Sequence, residues 1–155
     1  MGSKKNQKIV KRKENPPGKK ISRKEEPDAY YSEYPAWHFA FCDKDMWPFA
    51  EENAGELFWK EILPFLQNLE KRQWRDILVN SKKQNHSINA SELSTKAQKR
   101  LTELPIEAES IISLRLTGTH RIYGYIIGRV FNIIWFDKNH GDNGDCVCRS
   151  HMRNT

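Results

Sequence analysis

Six side chains able to handle protons or phosphate fall between positions 115 and 140: Arg115, His120, Arg121, Arg129, Asp137 and His140. Arginine and histidine arranged around a sheet can cleave RNA without a metal. One group removes the 2′-hydroxyl proton, another protonates the leaving 5′-oxygen, and arginines stabilise the charged phosphorane. Imidazole suits either proton role because it titrates near neutrality. Arg115, His120, Arg121 and His140 are therefore the candidate catalytic residues, with Arg129 and Lys138 as candidate contacts to an RNA backbone. The plainer reading of the same residues is surface arginine paired with helical glutamate, and a histidine capping a turn.

Other chemistries find less support. His140, Cys146, Cys148 and His151 offer four ligands within twelve residues. Cys-x-Cys is tighter than the usual zinc pair, however, and no second knuckle exists. The run Asp137-x-Asn139, Gly141, Asp142, Asp145 has a glycine where a calcium ligand should stand and no closing glutamate. There is no Gly-rich phosphate loop, no GxSxG and no HExxH. No metal or cofactor is expected.

The elements that must position these residues are three strands joined by two turns. Ile112, Leu114 and Leu116 alternate with Ser113, Arg115 and Thr117, the period of a half-buried strand. Gly118 then offers the positive φ of a tight hairpin. His120 to Ile127 is rich in Ile and Tyr, which suit a pleated surface. Gly128 marks a second turn, and Val130 to Phe136 is apolar on both faces except at Asn132, the pattern of a central strand. Arg115 and Arg121 lie on polar faces of adjacent strands. Whether they converge depends on register, since a slip of one residue moves either to the other face.

The rest of the chain reads as cover for that sheet. Tyr30 to Phe49 is aromatic and interrupted by Pro35 and Pro48, so we expect an extended segment whose rings enter the core. Leu57, Phe58, Ile62, Phe65, Leu66 and Leu69 have helical spacing, with a kink or restart at Pro64. Trp74, Ile77 and Leu78 form a short helix, Asn80 to His86 a polar loop, and Ile88 a brief extended piece. Ser91 or Ser94 caps a third helix bearing Leu93, Ala97, Leu101 and Leu104, which Pro105 ends. Helices followed by a strand meander predict an α+β fold, the N-terminal helices packed on one face of an antiparallel sheet formed by the C-terminal half.

Charge divides the chain unevenly. Residues 1–24 carry ten Lys or Arg and one acid, a local +9, so the remainder sums to −3 against the total of +6. We read residues 1–27 as a basic disordered arm, 28–150 as a single domain and 151–155 as a tail. Lys4, Lys5, Lys11, Arg12 and Lys13 in the arm are candidate contacts to RNA or ribosome phosphates. Three cysteines (Cys42, Cys146, Cys148) cannot all pair, which favours a reducing cytosol. The basic N-terminus is not followed by the apolar run of a secretory signal, and no stretch approaches the length of a membrane span.

The run HRIYGYIIGRVFNIIWFDKNH, residues 120–140, resembles the C-terminal half of RelE/ParE-superfamily toxins, particularly the YoeB-like branch. His120, Arg121, Ile122 and His140 fall at comparable places, with one residue more between the ends than the family spacing. SLRLTG, residues 113–118, is similar to the family's preceding basic strand and turn. From Pro35 the body also resembles a small uncharacterised bacterial family, through YPAW, Trp74-x2-Ile77, Ala97-x2-Arg100-Leu101, SLRLTG and IWFDKNH. The superfamily resemblance implies a helix-backed sheet and a ribosome-dependent or free endoribonuclease that arrests growth and is neutralised by an antitoxin protein. It implies Arg121 as the phosphate-stabilising group and His140 as general acid, with the base among Glu103, Glu107 and Glu109. ParE-like members share the fold without cleaving RNA, so a non-catalytic RNA- or ribosome-binding module, or a protein-interaction module, is the competing expectation.

Overall fold

The computed structural model describes residues 20–22, 29–141 and 145–149. The three expected strands are present and adjacent: β5 (Ser110–Arg115), β6 (Arg121–Ile127) and β7 (Val130–Asp137), paired antiparallel. Gly128 in the β6–β7 turn has φ +62°, the left-handed value that a two-residue hairpin needs. The β5–β6 connection is built differently. Gly118 is not left-handed; the Leu116 N–H donates to His120 O at 3.1 Å across the loop, and the His120 N–H donates to Thr117 Oγ1 at 3.1 Å within it. β5 accordingly ends at Arg115, two residues before its alternation does.

The full sheet has the order β2-β7-β6-β5-β3. β2 (Ala36–His38) lies parallel to β7, and β3 (His86–Asn89) antiparallel to β5. The sheet is therefore mixed rather than antiparallel, and one of its edges, β2, comes from outside the C-terminal half. β2 is three residues long, too short for a period-two signal. Separately, β1 (Lys20–Ser22) pairs parallel with β4 (Ile106–Ala108).

The helices lie on both faces, which corrects the one-face expectation. On one face a π-helical turn (Phe58–Ile62), α1 (Leu63–Leu69) and α2 (Trp74–Leu78) bury Ile62, Leu66, Leu69, Trp74 and Ile77 against Ile112, Leu114, Ile122, Ile126, Phe131 and Phe136. On the other, α3 (Thr95–Glu103) sets Ala97 and Leu101, with Leu93, Trp47 and Val147, over Ile111, Tyr123, Tyr125, Ile134 and Trp135. The cause is the composition of the central strands. β7 is buried from Phe131 to Asp137, so both of its sides need apolar cover.

Local chemistry sets the element boundaries. Pro64 has no N–H to give to the carbonyl four residues back, and the turn before it is π-helical, with the Leu63 N–H reaching Phe58 O. The Ser94 hydroxyl accepts from the Ala97 N–H at 3.2 Å and caps α3. In the aromatic segment Trp47 is buried, Trp37, Phe41 and Phe49 are half-buried, and Tyr34 and Phe39 stay exposed.

One irregularity matters for the site. Gly124 faces Ile133 while Tyr123 faces Trp135, leaving Ile134 as the extra residue of a β-bulge. A Cβ on Gly124 would lie 2.2 Å from Asn132 O, so no other residue fits there. The bulge sends consecutive Ile134 and Trp135 to the same core. Among the described residues, no helix is long and apolar enough to cross a membrane.

Candidate functional site

Register brings three charged side chains abreast at one end of the sheet. Arg115 stands opposite Arg121, and Arg121 opposite Asp137. Cross-strand partners share a face, here the α3 face, with Ser113, Tyr123 and Trp135 forming the next row. His140 follows β7 and is tied back to the β5–β6 loop by its N–H, which donates to Thr119 O at 2.9 Å. Its Nδ1 lies 3.4 Å from the Tyr123 hydroxyl. Arg115, Arg121 and His140 are thus gathered at one place.

His120 is not among them. Adjacent strand residues point to opposite sides, and His120 packs its ring against Phe136 on the α1 face with Nδ1 2.7 Å from Glu61 Oε1. Lys138 is half-buried beside Asp137, while Arg129 occupies the β6–β7 turn at the far end of the sheet, with Nη1 donating to Tyr34 O. Lys4, Lys5, Lys11, Arg12, Lys13 and His151 lie outside the described residues. Of the candidate bases, Glu103 is paired with Arg100 at 3.0 Å, and Glu107 and Glu109 are exposed around β4.

The inner members of the cluster sit in low-dielectric surroundings. Arg121 is 7% exposed. Its Nη1 donates to the carbonyls of Thr117 and His120, and burial, helped by the Arg115 charge, lowers its pKa. Asp137 is fully buried and accepts the N–H of Asn139 at 2.8 Å and of Val147 at 2.9 Å; burial holds its pKa above the usual carboxylate value. Burial, with the Asp137 charge, also keeps Tyr123 well above an ordinary tyrosine, although Ser113 bonds to it. Tyr123 is therefore a hydroxyl donor at neutral pH and not a base.

Buried thiols close the cluster on one side. Cys146 and Cys148 have their sulfurs 3.1 Å apart, and Cys146 Sγ donates to Cys148 O. Burial pushes Cys148 up to about 12, so it carries no thiolate at neutral pH. Among the described residues no group of three or more His, Cys, Asp or Glu is placed to hold a metal ion.

A second Arg–Asp couple lies on the same sheet face. Arg100 of α3 donates through Nε to Asp43 Oδ2 at 2.7 Å and through Nη2 to Oδ1 at 2.8 Å. The Trp135 indole donates to Oδ2, and the Asp45 and Met46 N–H groups to Oδ1. Burial works to raise Asp43, but the bonds from Arg100 and Trp135 outweigh it and its pKa is lowered.

Sequence reasoning missed three parts of this end of the fold. Tyr123 counted only as a strand residue. Asn85 belongs by sequence to a polar loop, yet it is buried, with its Oδ1 accepting from the Arg115 N–H and its Nδ2 donating to Ile77 O. The Asp43–Arg100 couple joins residues 57 positions apart, and nothing local announces it. Compared with family models, curated proteins and solved structures, the chain matches none.

Proposed function

We propose that this chain is a toxin-like endoribonuclease that cleaves RNA without a metal at the β5–β6 end of its sheet. The observation that carries the reading is register: Arg115 lies opposite Arg121, with His140 held beside them through Thr119 and Tyr123. Arg115 is exposed and takes the scissile phosphate, where a guanidinium matches phosphate geometry in two bonds. Solvent water takes the 2′-hydroxyl proton as that oxygen bonds phosphorus, and His140, oriented by the Tyr123 hydroxyl, protonates the leaving 5′-oxygen as its bond to phosphorus breaks. Arg121 acts from behind: it holds the carbonyls of the 117–120 loop and adds its charge to the phosphate side. The resemblance to RelE/ParE toxins, carried by the same Arg121 and His140, supports the assignment, and an antitoxin protein is the partner it calls for.

A second reading has its own observation. Arg121, Tyr123 and Asp137 are nearly or wholly buried, which suits a structural buttress beneath a non-catalytic RNA- or ribosome-binding surface. Incubating the purified chain with end-labelled RNA separates the two. Cleavage that falls about a hundredfold in His140→Ala and in Arg115→Ala supports the nuclease. Equal cleavage by all three proteins sinks it, and RNA binding without cleavage favours the second reading.

A further inference from the structure

The opposite face carries a cavity of about 710 Å³ lined by Phe49, Glu51, Gly55, Glu56, Phe58 and Trp59. We propose that it binds a small quaternary or multiply alkylated ammonium compound. Three aromatic residues, whose ring faces attract cations, line it together with two glutamates. The rings support one another: Phe58 meets Trp59 edge-on at 5.2 Å, and Phe39 bridges Phe49 at 5.9 Å and Phe58 at 6.4 Å. Trp59 is 70% exposed, which leaves its ring open to a ligand from solvent.

Charge decides between ligand classes. Glu56 is paired with Lys60 at 2.7 Å, whereas Glu51 has no ion-pair partner among the described residues and remains available to a cation. A phosphate or a carboxylate ligand would meet like charge. A small metal ion would lose its water shell to aromatic carbon, which cannot replace it. An alkylated ammonium is weakly hydrated and apolar on its surface, so rings and a carboxylate satisfy it together. The volume is that of a small-molecule site rather than of a single side chain.

The site's shape depends on two local features. Gly55 has φ +47°, and a Cβ there would come within 2.8 Å of Glu51 O, so the turn that sets Glu51 against Glu56 requires glycine. The π-helical turn beginning at Phe58 carries Trp59 outward while Ile62 stays in the core.

Calorimetric titration of the full chain with choline chloride tests the proposal. Saturable binding is expected, weakened about tenfold by Trp59→Ala and about threefold by Glu51→Gln, the range a cation–π contact and an exposed charge provide. Both residues are exposed, so both variants should fold, which circular dichroism checks. The neutral isostere 3,3-dimethylbutan-1-ol should bind at least tenfold more weakly than choline. Absence of saturation, equal binding of the alcohol, an unchanged Trp59→Ala variant, or tighter binding of a tetralysine peptide would each overturn it. Because the cavity and Arg115 lie on opposite faces, RNA cleavage and choline binding stand or fall separately.

Discussion

Two Arg–Asp couples sit on the same sheet face and behave in opposite ways. In the Asp43–Arg100 couple every carboxylate lone pair that burial strips of water is answered, by two guanidinium bonds, an indole and two amides. In the Arg121–Asp137 couple the partners are abreast in register but spend their bonds elsewhere, Arg121 on carbonyls and Asp137 on amides. The first couple holds Asp43 below the usual carboxylate value; the second leaves Asp137 above it and Arg121 below its own. A satisfied ion pair fastens α3 to the sheet. An unsatisfied one is what a buried site looks like when charge is kept available for another purpose.

Breaking the satisfied couple should cost most. Arg100→Ala leaves Asp43 buried without its cation, and thermal or urea unfolding should show a loss of about 3–5 kcal/mol. A loss below 1 kcal/mol would mean that the indole and amides suffice alone. Acid titration then sharpens the contrast. Asp43, with a lowered pKa, contributes stability that is present above its ordinary value of 3.8 and is lost as pH falls through its folded pKa. Asp137, with a raised pKa, contributes stability that is present below 3.8 and is lost as pH rises through its folded pKa. Asp43→Asn should therefore flatten the acid limb of the stability curve, while Asp137→Asn should make stability rise more steeply with pH above 3.8 than in the wild type. Shifts of the same sign in both variants would remove the distinction. Smallest is the His120–Glu61 contact on the other face, where Glu61→Gln should cost under about 1 kcal/mol and leave RNA cleavage unchanged.

How much of this was legible follows from the range of each interaction. Ile112, Leu114 and the run from Val130 to Phe136 declared their strands because alternation and apolar density are local signals. Pro64 and Ser94 declared a helix restart and a cap for the same reason. The alignment of Arg115 with Arg121 was legible only as a condition on register, and the loop at Thr117 met that condition with a backbone and a side-chain bond rather than the glycine turn expected at Gly118. β2 was hidden by its brevity. The placement of α3 on the second face was implicit in the two-sided apolarity of β7, though the helices gave no sign of which side each would take. Glu61 meeting His120 and Asp43 meeting Arg100 join distant positions, and only the folded chain pairs them.

The bulge at Ile134 has a consequence for insertion and deletion. Side chains along a strand keep a parity, and the bulge inverts it once, so that Arg121 meets Asp137 instead of Phe136. Deleting Ile134 would remove the bulge and keep Asp137 opposite Arg121, whereas straightening the bulge with Ile134 retained would turn Asp137 toward the α1 face, carrying Lys138 and His140 out of step with Arg115. Grafting this segment must therefore carry the bulge along or drop Ile134 itself.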